Sequence, residues 1–355
     1  MLESIVKILE LQELTKMVDF NIRERRQRNM AWNDLVELLK GHKTYLQTHN
    51  FPDPDAIASA FGMQQFLKKH GVETTLCYCG AIDKISTKKM LTEFGIDIKE
   101  YSQITDMQEE DYIVTIDGQK YNSNFTDLPG DEVACIDHHP TFIECTYRYK
   151  DVRIVGSCAT LVTEYYVESG TPMDRNVASA LMYGLRMDTA SLTRGVTELD
   201  IEMFGYLYKY ADNDKITKFY INNMEMSDLK AYGAAIENIN VINGIGFAHI
   251  PFDCNDGLIA MISDFILSLN EVSVCIVYAD RNGGYKLSVR SVDENVHSGK
   301  LTAEALKGIG DGGGHSFMAG GVIYSDIDEH IKDNIEAEVQ KRFLNAVNKG
   351  CENVR

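Results

Sequence analysis

Histidines and aspartates follow the ends of short apolar runs in this chain. After Thr44–Thr48 comes His49-Asn50-Phe51-Pro52-Asp53-Pro54-Asp55, and after Tyr112–Ile116 comes Asp117. After Val133–Ile136 comes Asp137-His138-His139, and beyond the apolar run Ala180–Leu185 comes Asp188. Imidazoles and carboxylates crowded together repel one another unless cations sit among them. Mixed nitrogen and oxygen ligands suit manganese, iron or zinc, and an aspartate-rich set leans to manganese or magnesium. The set exceeds what one structural zinc needs. Two metals roughly 3.5–4 Å apart, bridged by a carboxylate, would use it fully. Asp53 and Asp55 share a side if their turn is extended, and Pro52 and Pro54 stiffen that turn. Taken singly, each residue has a plainer explanation: a strand-end aspartate is usually a turn or cap, and Asp188-Thr189 would cap a helix. Four segments supplying ligand types at one edge is what points to a site.

The elements between these residues alternate. Candidate strands are Thr44–Thr48, Thr74–Tyr78, Tyr112–Ile116 and Val133–Ile136, short and rich in β-branched and aromatic residues. Helical runs are Asp55–His70, Thr87–Phe94, Ala159–Ser169, Asn176–Leu185 and Leu199–Ala211. Alternation of this kind predicts an α/β domain with a mainly parallel sheet over residues 43–211. Ligands of such sheets bind outside the carboxyl ends of the strands, where the histidines and aspartates fall. Residues 1–42 read as an N-terminal helical extension, with Arg23–Arg28 as a solvated face, and 212–228 as an acidic linker. Residues 229–345 read as a smaller α+β domain. Its helices are Leu229–Ile239 and Gly257–Ser268. Strand-like Gly246–Ile250 and Val272–Tyr278 are followed by a turn at Asp280–Gly283 and a returning strand at Tyr285–Val292. For the glycine-rich 308–314 segment, ahead of a strand-like Gly321–Tyr324, a flexible loop is the plainer reading; the preferred one is that Gly312–Gly314 lets backbone amides approach an anion, with His315 adding a donor. Its Gly308-x-Gly310-x-x-Gly313 spacing lacks the strand-and-helix context of a dinucleotide fingerprint.

Composition narrows the function. The chain has 355 residues and a net charge of −18, from 35 basic and 53 acidic side chains. So acidic a surface disfavours long duplex nucleic acid, whose affinity comes mostly from neutralised phosphates. A short nucleotide held through metal ions is compatible with it. No run approaches 18 apolar residues, so no membrane span is predicted, and a cytoplasmic location is the expectation. The eight cysteines form no CxxC and read as free buried thiols.

The motif set resembles the DHH family of phosphoesterases, in the branch with a DHH-associated C-terminal domain. His49-x-x-x-Asp53-x-Asp55 is similar to the first motif, Asp117 to the second, Asp137-His138-His139 to the third and Gly184–Thr189 to the fourth. Gly312-Gly313-Gly314-His315 with Ala319-Gly320-Gly321 is similar to the GGGH signature. The resemblance runs from about Lys43 to about Tyr324. It implies two divalent metals, most often Mn2+, that activate a water against a phosphoester. His49 and Asp53 would hold one metal. Asp55, His138 and Asp188 would hold the other, with Asp117 bridging. Asp137 and His139 would be the catalytic pair, His139 lying near the phosphate. Arg290, Gly313, Gly314 and His315 would bind substrate from the second domain. Departures are Arg186-Met187 before Asp188, where many relatives carry threonine, and Ala190, where many carry glycine. The implied activity is hydrolysis of short oligonucleotides or linear dinucleotides to mononucleotides. Cyclic dinucleotides and 3′-phosphoadenosine 5′-phosphate are alternatives, as is a nucleotide-binding regulator without turnover. The N-terminal helices are candidates for forming a homodimer.

Overall fold

The computed structural model describes residues 32–82, 85–221 and 224–352. The expected helices before residue 32, Arg23–Arg28 included, lie outside them. The chain divides into two units between Asn223 and Met224.

The first unit opens with helix α1 (residues 32–39). Strands β1 (Thr44–Thr48), β2 (Thr74–Tyr78), β3 (Ile98–Glu100), β4 (Tyr112–Ile116), β5 (Asp131–Asp137) and β6 (Tyr149–Val152) alternate with helices α2 (Pro54–Lys69) and α3 (Ile85–Phe94). Helices α4 (Cys158–Ser169), α5 (Arg175–Asp188), α6 (Glu198–Tyr208) and α7 (Asn213–Ile221) complete it. The six strands run in the order β3-β2-β1-β4-β5-β6, every pair parallel. Side chains alternate along β1. Leu46 enters the large core under the helices, with Phe66, Leu161 and Leu181. Tyr45 enters a smaller cluster on the opposite face, with Cys77, Ile113 and Leu128. Burying one such leucine contributes roughly 1.5–3 kcal/mol, so the alternation fixes the strand's register and with it the place of His49. β3 and β6 were not expected; both are short and lie at the sheet edges.

The segment expected to be a linker contains α7. Ile216 is buried there, and Phe219 meets Phe94 and Tyr183 edge-on at 5.5 and 5.3 Å between centroids. This apolar burial outweighs the polar composition of the stretch.

The second unit contains helices α8 (Leu229–Glu237), α9 (Asp256–Leu267), α10 (Ser298–Leu306), α11 (Glu329–Asp333) and α12 (Ile335–Glu352). Its strands are β7 (Asn240–Ile242), β8 (Ile245–Ile250), β9 (Val274–Arg281), β10 (Gly284–Ser291), β11 (Gly310–Gly314) and β12 (Met318–Ile323). They form a mixed sheet ordered β11-β12-β10-β9-β8-β7, with only β8–β9 parallel. Asn282 and Gly283, at φ 48° and 81°, make the expected hairpin. Asn243 and Gly244, at φ 52° and 81°, make a second one. That Asn-Gly pair was the overlooked signal for β7. The glycine-rich segment is a strand and not a loop: β11 pairs antiparallel with β12 from Gly310–Ile323 to Gly314–Ala319. Glycine is needed there for close approach. A Cβ on Gly310 would lie 1.9 Å from the Val322 carbonyl oxygen.

Candidate metal centre

The first unit gathers the ligand-type residues at one edge of its sheet. His49 and Asp117 are the first residues past β1 and β4; Asp137 ends β5 and Asp188 ends α5, one turn beyond where the sequence placed the helix end. Their ligand atoms form three groups, each within 4.8 Å: His49–Asp53–Asp117, Asp55–His138–Asp188 and Asp117–His138–His139. Asp117 and His138 each belong to two of them.

Local structure explains the placement. Asp53 caps α2, its Oδ1 accepting from the backbone N–H of Asp55 (2.8 Å) and Ala56 (3.1 Å), with Pro54 in the first turn. The turn is therefore a helix start and not an extended pair of carboxylates. Asp55 points instead at the N-terminus of α4, where the N–H groups of Cys158 and Ala159 donate to its two oxygens at 2.7 and 3.0 Å. A helix N-terminus stabilises an anion. Two histidines are oriented from behind. His49 Nδ1 lies 2.8 Å from the Asn50 carbonyl, and His138 Nδ1 lies 3.0 Å from the Val155 carbonyl. Both Nδ1 atoms are therefore assigned the proton, which leaves each Nε2 lone pair facing the carboxylates. His138 Nε2 is 3.3 Å from Asp117 Oδ1 and 3.2 Å from Asp188 Oδ2; His49 Nε2 is 3.7 Å from Asp117 Oδ2.

Asp137, expected to be catalytic, is fully buried and turned to the protein. Its Oδ1 accepts from His139 Nδ1 and the His138 backbone N–H, each at 2.8 Å, and its Oδ2 accepts from Gln119 Nε2 at 2.7 Å. It orients His139, so it is a positioning residue.

The donor set fits divalent cations on two observations. Asp117 Oδ1 and His138 Nε2 are buried and have no hydrogen-bond partner among the described residues. The carboxylates are also too crowded to be charged together without a counter-charge. Burial, with the charges of Asp117 and Asp188, pushes Asp55 well above the usual carboxylate range. Burial, with Asp53, pushes Asp188 up to about 7. Burial would raise Asp117 too, but the imidazoles of His138, His139 and His49 beside it hold it well below that range. Burial works against protonation of His138, but Asp117, Asp188 and Asp55 outweigh it and hold the ring above its ordinary value. A divalent cation held by these residues would supply the counter-charge that these protons supply.

The sign follows. Asp55 and Asp188 titrate higher folded than unfolded, so the metal-free protein loses stability as pH rises towards and through about 7. Asp117 titrates below that window. Divalent cations bind the deprotonated form. Manganese is therefore expected to raise the melting temperature more at pH 8 than at pH 6, and to release protons on binding near pH 7. Melting curves and calorimetry in buffers of different ionisation enthalpy check both.

Asp200 was not found from sequence. It is fully buried on α6 and accepts from the Gly156 N–H (2.8 Å), Thr160 Oγ1 (2.5 Å), and the Thr197 N–H and Oγ1 (2.7 and 2.6 Å). It thereby holds the turn that starts α4, the helix that holds Asp55. A Cβ on Gly156 would sit 2.8 Å from the Asp200 carboxyl carbon. The local signal was Thr197-x-x-Asp200, a capping box; its link to residues 156–160 is long-range.

In the second unit, Arg290 on β10 bonds Asp264 Oδ1 through Nε (2.8 Å), and Ser288 Oγ and the Val289 carbonyl through Nη1 (3.0 and 3.1 Å). It was expected to offer phosphate a two-pronged donor, yet these bonds already occupy two of its nitrogens. Gly313 and Gly314 lie exposed on β11, and exposed His315 stacks on Phe317 at 5.8 Å.

Residues 43–185 match the DHH family, N-terminal domain, and residues 241–351 match the DHHA1 domain. The chain belongs to the DHH family of phosphoesterases. Its relatives include an uncharacterized protein of Methanocaldococcus jannaschii, 29% identical over 310 residues, which are 84% of this chain and 63% of that protein. The chain thus spans less than two thirds of that relative's length. A probable manganese-dependent inorganic pyrophosphatase of Streptococcus pyogenes is 23% identical over 228 residues, 63% of this chain and 71% of the enzyme. The fold of an exopolyphosphatase-related protein from Bacteroides fragilis superposes with TM-score 0.73 at 20% identity, covering 90% of this chain and 98% of that one. No helix among the described residues of this DHH protein is long and apolar enough to cross a membrane.

Proposed function

We propose that the chain is a two-metal phosphodiesterase that hydrolyses short oligonucleotides or linear dinucleotides to mononucleotides. The observation that carries this reading is Asp117, shared between the His49–Asp53 group and a His138 group, with Asp55, His138 and Asp188 beside it. Divalent cations held there, most often Mn2+ in this family, would polarise phosphoryl oxygens and lower the pKa of a bound water. His49 and His138 offer Nε2 lone pairs fixed by their Nδ1 hydrogen bonds. His139, steered by Asp137, stands at the rim to meet charge on the phosphate. Positioning does most of the remaining work, and no protein nucleophile is needed. The net charge of −18 supports a small substrate. The family resemblance implies a different C-terminal domain in the pyrophosphatase branch, so the DHHA1 match over residues 241–351 supports nucleotides over pyrophosphate. Arg290, Gly313, Gly314 and His315 are assigned to substrate binding in the same proposal.

The test is a panel of linear dinucleotides, oligonucleotides of increasing length, cyclic dinucleotides, 3′-phosphoadenosine 5′-phosphate and pyrophosphate, with manganese or chelator. Manganese-dependent release of mononucleotides from the shortest linear substrates is the expected outcome. Turnover of pyrophosphate alone, or of nothing while metal is bound, would contradict the reading.

A further inference from the structure

The loop after β4 reaches the end of β5 through one side chain. Asp117 has a left-handed backbone, φ 56°, which aspartate tolerates better than most residues. At Gly118 a Cβ would come within 2.9 Å of the Phe125 ring and 3.3 Å of His49 Cβ. Gln119 comes next and is buried, 2% exposed. Its Nε2 donates to Asp137 Oδ2 at 2.7 Å and to the His139 carbonyl at 3.1 Å. A carboxylate and a carbonyl are both acceptors, so the amide is assigned with its NH2 towards them, and both of its protons are used.

One amide therefore clamps both ends of Asp137-His138-His139. A fully buried carboxylate needs donors at both oxygens. Asp137 Oδ1 has two, the His138 N–H and His139 Nδ1, each at 2.8 Å. Among the described residues, Oδ2 has Gln119 alone. Without that donor the carboxylate loses the bond that sets its rotation, and the His139 ring loses its support. The candidate metal ligands beside it are anchored by other bonds. The Asp117 N–H donates to the Ile136 carbonyl (2.9 Å), and His138 Nδ1 lies against the Val155 carbonyl (3.0 Å). Exposure sorts the imidazoles the same way. The side chains of His49 and His138 are 13% and 9% exposed, and that of His139 is 29% exposed. His139 is the ring most open to a substrate, while Asp137 and Gln119 behind it are closed to one.

We propose that Gln119 is a positioning residue for His139, acting through Asp137 and not through the metal ligands. The relay from Gln119 through Asp137 fixes the ring of His139. It keeps Nδ1 for Asp137, so contact with a phosphate falls to Nε2. The proposal rests on the phosphodiesterase reading above and names the buried group that sets the geometry of its outermost histidine.

The test compares wild type, Gln119→Met, Asp137→Asn and the double variant, each as the full chain. Methionine keeps the length of glutamine and removes both donors. Gln119→Met should lower kcat for a linear dinucleotide about ten- to a hundredfold, with KM and manganese affinity unchanged. In the Asp137→Asn background the same change should lower kcat no further, because both residues act on one ring. In metal-free protein labelled with 15N-histidine, the His139 Nδ1–H resonance is identified by its absence in His139→Gln. In Gln119→Met it should leave the low-field position of a carboxylate-bonded proton. The wild type gives a measurement that needs no variant: the Gln119 side-chain amide protons and the His139 Nδ1 proton should exchange slowly with solvent. Fast exchange of the Gln119 amide overturns the proposal. So does an earlier melt with unchanged kcat, a loss that multiplies in the double variant, or a parallel fall in manganese affinity. An unmoved His139 resonance in a chain that hydrolyses the dinucleotide overturns the relay and leaves the catalytic reading standing. A resonance that moves as expected in a chain that hydrolyses no phosphodiester leaves the relay standing and removes the catalytic reading.

Discussion

Asp117→Asn is expected to remove nearly all turnover and most metal affinity while leaving the fold intact. Asparagine keeps the shape but cannot give two charged oxygens to two neighbouring groups. Oδ2 faces His49 at 3.7 Å, and Oδ1 faces His138 at 3.3 Å and His139 at 3.7 Å. Several kcal/mol of transition-state charge stabilisation would depend on the cations that this residue would help hold in the proposed mechanism, which corresponds to a loss of about a thousandfold or more in kcat/KM. The measurement is dinucleotide turnover beside a manganese titration. A variant within about tenfold of wild type would show that Asp117 does not bridge.

Asp200→Ala is expected to have the largest effect of any change away from the ligands. Four donors, from Gly156, Thr160 and Thr197, would lose their acceptor in a fully buried place. Leaving buried donors unsatisfied costs about 1–3 kcal/mol each when counted alone. A total on the order of 3 kcal/mol corresponds to a melting temperature lower by about 6–12 °C in a unit of this size. The same change frees the start of α4, which holds Asp55, so manganese affinity should also fall by about ten- to a hundredfold. A melting shift with metal affinity unchanged would mean that Asp200 supports only the fold.

The first unit was readable from sequence because its signals are local. β1, β2 and β4 are bounded as their β-branched and aromatic runs suggest, and the residues just past them are those the strands deliver to the edge. Asp188 needed one more helical turn than the apolar run showed, since Arg186 and Met187 continue α5 without extending its apolar stripe. β11 was illegible because glycine has no strand preference of its own. What makes Gly310–Gly314 a strand is the closeness of β12, a long-range fact. Asp200 escaped, and Asp137 was read as catalytic, for a related reason. A carboxylate that orients a helix start or a histidine looks, in sequence, like any cap. The extended pairing of Asp53 and Asp55 failed because Pro54 stands as readily at the start of a helix as in a stiff turn.

Anomalous diffraction from crystals grown with manganese tests the central claim most directly. Two peaks about 3.5–4 Å apart are predicted, one contacted by His49, Asp53 and Asp117 and the other by Asp55, Asp117, His138 and Asp188. A single peak, or peaks away from Asp117, would contradict the two-metal account.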